Sequence, residues 1–400
     1  MKALNLSIAL LALCSSLLFS DEELRDFISE NKKAQFKYDY EKNEADSSKL
    51  RDSWIAPLNL NYSYSKSNPY TEQQTTENAS IRMDQPIFQS GGIYYGIKFA
   101  EASRIYSDYS IDVAKRKLIK DAVSLLMQIK QIGLKIDKQS LVIENSEINL
   151  AQKKEDYLNG QLDSGFLDNA IIERNIAIQA LYDLQTSKER LISKFNAISD
   201  LNYEEAFIPK LKYLTQDEFL EKNMLLYMSE SEIVKNRYAK DVIVAKYLPK
   251  VNLVAGYNWD KSDTQFQFGS DEKDYYNFGL KATLPIDINT FRDIESSKVD
   301  YLKSQLILED KKRELIAIFE QVSQNIENFE KKKQLSVQNR DIYERLLADT
   351  IDLYEAGYKT KYDAELLQNS VLIQKSDVEI YEIDKQLELL TLYETYRDEI

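Results

Sequence analysis

Two stretches of this 400-residue chain, 87–208 and 286–400, contain no proline; the six prolines are Pro57, Pro69, Pro86, Pro209, Pro249 and Pro285. Proline breaks helices because it lacks an N–H and its ring clashes with the preceding turn. Each stretch can therefore carry a very long helix. Their apolar residues have coiled-coil spacing: Leu118, Ala122, Leu125, Ile129, Ile132 and Ile136 step by 4, 3, 4, 3, 4, and Leu315, Phe319, Val322, Ile326 and Phe329 by 4, 3, 4, 3. The second series is the first displaced by 197 residues. The same displacement carries Tyr157 onto Tyr354 and Gly160 onto Gly357. A displacement that holds over helix and turn alike marks an internal duplication.

Alternating segments lie just upstream of each long helix. From Leu58 to Ser65 every odd position is polar, while Leu58, Leu60, Tyr62 and Tyr64 are apolar or aromatic. Ala79, Ile81 and Met83 alternate with Ser80, Arg82 and Asp84. Val251, Leu253, Ala255, Tyr257 and Trp259 form a third apolar face, and Tyr276, Phe278, Leu280, Ala282 and Leu284 a fourth. Period 2 is the strand signature, and ~10-residue segments of this kind suit transmembrane barrel strands as well as a soluble sheet with one wet face. The aromatics in the strands and the polar loops near 66–78 and 262–274 favour the membrane. Four strands cannot enclose a lumen, since about eight is the practical minimum. The sheet edges must then be paired by partner chains inside lipid: a dimer would supply eight strands, a trimer twelve.

The first twenty residues read as a secretory signal, with Lys2 at its start, an apolar run from Ala3 to Phe19, and a cleavage site near Ser20. The only cysteine is Cys14, inside that leader, and bulky Leu13 before it argues against a lipoprotein site. Beyond the leader no apolar run approaches the ~20 residues of a membrane-spanning helix. The chain has no histidine, and so lacks the commonest general base and metal ligand. Its formal net charge of −14 disfavours nucleic acid. No hydrolase triad, metal cluster or cofactor loop is legible. Gly91-Gly92-x-x-x-Gly96 reads as a tight strand-to-helix turn, not a phosphate loop. Lysine runs such as Lys331-Lys332-Lys333 read as solvated helix faces.

The expected fold class is a mixed α and β membrane protein, with four transmembrane strands and long coiled-coil helices per chain. A signal peptide occupies 1–20. The first repeat, 21–205, holds a helix, a strand pair at 54–67 and 78–88, a long helix at 92–157 and a helix at 167–198. The second, 206–400, holds a belt-like segment and helix at 206–246, strands at 250–261 and 275–286, a long helix at 290–355 and a helix at 361–398. A helix over 92–157 would be roughly 100 Å long at ~1.5 Å per residue.

This succession, with a Tyr-x-x-Gly turn after each long helix, resembles the TolC family of outer-membrane efflux proteins over essentially the whole mature chain. The most specific stretch runs from Tyr354-Glu355-Ala356-Gly357 through Lys359 and Thr360 to Asp363-Ala364. Its first copy is Tyr157-Leu158-Asn159-Gly160, followed by Asp168-Asn169-Ala170. The resemblance implies a homotrimer: a 12-stranded barrel in the outer membrane of a Gram-negative bacterium, continuous with a helical periplasmic tunnel. It implies the exit duct of a tripartite efflux pump or type I secretion system, working with a periplasmic adaptor and an inner-membrane transporter, without a cofactor.

The resemblance also assigns residues. Asp363 falls where the family lines the closed tunnel end with an aspartate. Tyr354 and Lys359 fall on latch contacts between coils, and the turns at Gly160 and Gly357 on the adaptor-docking tips. Leu366 stands where a family member has a second aspartate, and Phe166 is the first-copy equivalent of Asp363. Asp363 also reads simply as a first-turn residue of a helix capped by Thr360, and the glycines as helix ends. A non-transporting trimeric surface stalk is the alternative function. An exported enzyme is disfavoured by the missing histidine.

Overall fold

A computed structural model describes residues 26–68, 73–264 and 271–397. The expected leader, with Cys14, lies outside the described residues. The elements in chain order are α1 (Glu30–Arg51), β1 (Asn59–Ser67), β2 (Gln74–Phe88), α2 (Gly92–Leu158), α3 (Ser164–Asn196), α4 (Gln216–Glu221), α5 (Met224–Lys246), β3 (Lys250–Thr264), β4 (Asp271–Thr283), α6 (Thr290–Glu355) and α7 (Lys361–Tyr393). The mixed class expected from the sequence is the class observed.

Helix boundaries carry the 197-residue displacement. α3 begins at Ser164 and ends at Asn196; α7 begins at Lys361 and ends at Tyr393. α2 ends at Leu158 and α6 at Glu355. A belt-like segment and one helix were expected over 206–246, but the chain makes two helices there. Thr215 opens α4 with a reciprocal capping box to Glu218, and Asn223, fully buried, opens α5 by accepting from the Leu225 N–H. Two N-caps eight residues apart end one helix and begin another.

The residues fall into two compact units, each drawing on both halves of the chain. The sheet-bearing unit spans 33–116 and 215–320. Its four strands form one antiparallel sheet in the order β1-β2-β3-β4, so the duplicated halves meet where β2 pairs with β3. Pro86 sits at a register shift in that ladder, where its missing N–H is tolerated. Leu315 and Phe319 are buried here, and Phe319 stacks on Phe219 with centroids 5.9 Å apart.

Among the described residues the helical unit comprises 26–32, 117–214 and 321–397. Ala122, Ile129 and Ile132 of the expected stripe are buried in it, as is Val322. Ile119, Val123, Leu126 and Met127 form a second buried stripe on α2, which the heptad reading missed. α2 is thus covered on two sides around its middle. Each fully buried Leu, Ile or Val contributes about 1.5–3 kcal/mol by leaving water.

Candidate functional site

The two turns that follow the long helices are built alike. At the first, the Gly160 N–H donates to the Tyr157 carbonyl at 3.0 Å and the Gln161 N–H to the Asp156 carbonyl at 2.8 Å. At the second, the Gly357 N–H donates to Tyr354 at 3.0 Å and the Tyr358 N–H to Leu353 at 2.8 Å. These paired bonds are the Schellman motif, which satisfies the last carbonyls of a helix and needs a left-handed residue between them. Gly160 (φ 72°) and Gly357 (φ 81°) supply it.

The turns differ in how the next helix starts. Thr360 caps α7 with a full box. Its Oγ1 accepts from the Asp363 N–H at 3.3 Å, while Asp363 Oδ2 accepts from the Thr360 N–H and from the Thr360 hydroxyl, both at 2.9 Å. The backbone bond from Thr360 is the largest effect holding the Asp363 carboxyl below its ordinary pKa. Burial opposes it, while the Thr360 hydroxyl and the Lys359 charge add to it. Asp363 therefore carries its negative charge at neutral pH. At α3 the cap is Asp163, which accepts from the Gly165 N–H at 2.8 Å; Phe166, in Asp363's place, is exposed and has no carboxylate to close the box. Tyr354, Tyr358 and Lys359 are exposed around the second turn. Tyr354 lies in the last turn of α6, and Lys359 in the connection to α7.

Above the tips, a row of polar residues joins α2 to α7 inside the helical unit. Gln131 Nε2 donates to Asp384 Oδ1, Lys138 Nζ to Asp377 Oδ1 at 2.6 Å, and Asn369 Nδ2 to Asn145 Oδ1 at 2.9 Å. Gln131, Asn369 and Asp377 are buried. α7 also pairs with α6: Lys333 donates to Glu382 at 2.6 Å and Lys385 to Glu330 at 2.6 Å. The sequence reading missed this row. The heptad spacing of Gln131, Lys138 and Asn145 was the signal available. Lys333, read as solvated, is instead held in an ion pair by α7.

The sheet has two unlike faces. Directly paired residues share a face, so Leu60, Ile81, Tyr257 and Tyr276 form one row across all four strands. Met83, Ala255 and Phe278 lie on the same side, as do Leu253 and Leu280. The opposite face carries Asn59, Arg82 and Asn277, then Asn61, Ser80 and Asn258. It is cross-linked by Arg82 Nη2 donating to Asn258 at 2.9 Å and Asn252 Nδ2 to Asp84 at 2.6 Å. Leu60, Tyr276 and Phe278 are 65–80% exposed, at 70%, 76% and 79%. A water-exposed apolar face this continuous marks a surface made for an apolar environment. No described helix is long and apolar enough to cross a membrane. Among the described residues no group of three or more Cys, Asp or Glu is placed to hold a metal ion.

A four-stranded antiparallel sheet continued by paired long helices is the fold of outer-membrane channels. The channel CmeC of Campylobacter jejuni matches with a TM-score of 0.71 at 13% identity, over 94% of this chain and 84% of that one. The outer membrane protein VceC of Vibrio cholerae matches at 0.70 and 12%, over 94% and 96%. The open-state MtrE channel of Neisseria gonorrhoeae matches at 0.63 and 12%, over 94% and 88%. The model of the outer membrane efflux protein family matches residues 216–394, within the expected second repeat at 206–400. The resemblance drawn from the sequence is therefore borne out, and the proteins this chain resembles are channels, not enzymes. No curated protein matches the sequence.

Proposed function

We propose that this chain is the outer-membrane exit duct of a tripartite efflux pump or type I secretion system. Three copies close a 12-stranded barrel, and their helices form a tunnel in the periplasm of a Gram-negative cell. The observation that carries this reading is the sheet: one apolar and one polar face, with the outer edges of β1 and β4 unpartnered by any described strand. Such edges are not tolerated in lipid, and closure by further copies removes them. The apolar face then meets lipid and the polar face the lumen.

In this reading the helix tips form the periplasmic gate. Asp363, ionised and fixed by Thr360, contributes one carboxylate per copy to a constriction that attracts cations. Tyr354 and Lys359 serve as latch contacts between neighbouring coils. The turns at Gly160 and Gly357 dock a periplasmic adaptor, which links the duct to an inner-membrane transporter. Energy comes from that transporter.

The test is electrical. Purified protein reconstituted in planar bilayers is expected to give discrete cation-preferring currents from one side. Trimers that insert yet carry no current would overturn the duct. For docking, a photocrosslinker at Gln161 or Tyr358 is expected to capture the adaptor in cells, and capture at neither would overturn that part.

A further inference from the structure

The strands carry displacements of their own. Asn252-Leu253 and Tyr257 repeat Asn59-Leu60 and Tyr64 at 193 residues; Pro285-Ile286 repeat Pro86-Ile87 at 199. Ladder geometry checks both values at once. Applied to the β1–β2 pairs Asn59–Arg82 and Leu60–Ile81, they give Asn252–Lys281 and Leu253–Leu280, and both are pairs of the β3–β4 ladder. The two hairpins are therefore equivalent residue by residue.

That equivalence has a consequence at the outer edges. Within the chain, the second strand of one hairpin (β2) pairs with the first strand of the other (β3). The unpartnered edges are the same two strands with their roles exchanged: β4 corresponds to β2, and β1 to β3. From this we infer that β4 pairs with β1 of a second copy in the register of the β2–β3 seam. Ile81–Tyr257 then becomes Leu280 opposite Tyr64 of the second copy, and Gln85–Leu253 becomes Leu284 opposite Leu60. Both new pairs lie on the apolar face.

Exposure points the same way. Leu60 is 70% exposed where its equivalent Leu253 is 36%, and Leu280 is 70% exposed where Ile81 is 41%. The excess sits on the strands that lack a neighbour. The inferred register also accounts for Leu284, 58% exposed beyond the end of β4. Leu284 continues the apolar alternation past Lys250, where β3 begins, and would lie against Leu60 of the second copy; Ile286 corresponds to Ile87, which falls at the register shift between Pro86 and Phe88. The equivalent stretch of the first hairpin, 85–90, is held within the chain: Ser90 Oγ donates to the Pro249 carbonyl, and Gln85 donates to the Trp54 carbonyl and accepts from the Ala56 N–H.

This inference rests on the proposed trimer, and one experiment separates the two. In a Cys14→Ser background, Leu284→Cys is combined in full-length protein with Leu58→Cys, Leu60→Cys or Tyr62→Cys and oxidised with copper–phenanthroline. Opposed Cβ atoms lie within disulfide reach, whereas a two-residue slip moves the partner by about 7 Å. The Leu60/Leu284 pair is expected to shift the non-reduced band from monomer to covalent trimer, with the other two pairs staying largely monomeric. Light scattering in detergent reports assembly independently. Trimers in which another pair dominates, or none links, overturn the register and leave the trimer standing. A monomeric mass overturns both.

Discussion

Lys138 of α2 and Asp377 of α7, 239 residues apart in sequence, meet in an ion pair of 2.6 Å. The carboxylate is 13% exposed and the ammonium 32%. Gln131–Asp384 and Asn145–Asn369 flank the pair on the same two helices. Polar pairs within a coiled-coil seam fix register, because any slip buries their groups without partners.

Removing one member of that pair should therefore cost more than removing both. Lys138→Met leaves the Asp377 carboxylate buried without its cation and is expected to destabilise by about 1–3 kcal/mol, discounted because the lysine is partly in water. Lys138→Met with Asp377→Leu should recover most of that loss. Urea denaturation of the single and double variants measures it, and an equal loss in both would contradict the coupling.

The second tip offers a charge test. Asp363→Ala removes both the capping box and the proposed constriction charge. It should cost about 1 kcal/mol at the start of α7 and weaken block of the conductance by divalent cations. The converse variant, Phe166→Asp, adds a carboxylate at the first tip and should strengthen block. Titration of block by magnesium in both variants reads the effect.

The same carboxyl sets a pH window. Its folded pKa is lowered, so its stabilisation is fully present above the ordinary aspartate value of about 3.9 and is lost as pH falls through the folded value. The first turn of α7 should stay protected at neutral pH and fray only below about pH 4. Hydrogen exchange of residues 358–366 against pH reports this, with Asp363→Asn fraying at all pH values.

The tip glycines should be intolerant for reasons of backbone alone. A Cβ on Gly160 or Gly357 would meet nothing within 4 Å, yet both hold positive φ. Gly→Ala at either is expected to cost about 1–2 kcal/mol and Gly→Asn less, since asparagine enters the left-handed region more readily. Thermal melting of the four variants compares them.

The two sheet faces should answer oppositely to charge. Tyr257→Arg, on the apolar row, should impair bilayer insertion, at a cost near the midplane of about 2–4 kcal/mol, whereas Asn61→Arg on the polar face should insert normally. Folding into lipid vesicles, followed by protection from protease, separates them.

The sequence by itself determined what is periodic. Strand alternation and heptads state which face each element buries, and missing prolines state how far a helix can run. The tip turns were legible because Gly160 and Gly357 meet a local backbone need. What stayed hidden was non-local. A helix with two buried stripes gives no sign of which neighbour covers each, so Ile119, Val123, Leu126 and Met127 escaped the heptad reading. Likewise Lys138 looks like any solvated lysine until α7 brings Asp377 to it. The pairing of β2 with β3, rather than closure of each hairpin alone, was also settled only by tertiary structure. Local periods act over a few residues. Ladder register and buried ion pairs depend on which distant segments approach, and that is settled by the packing of the whole unit.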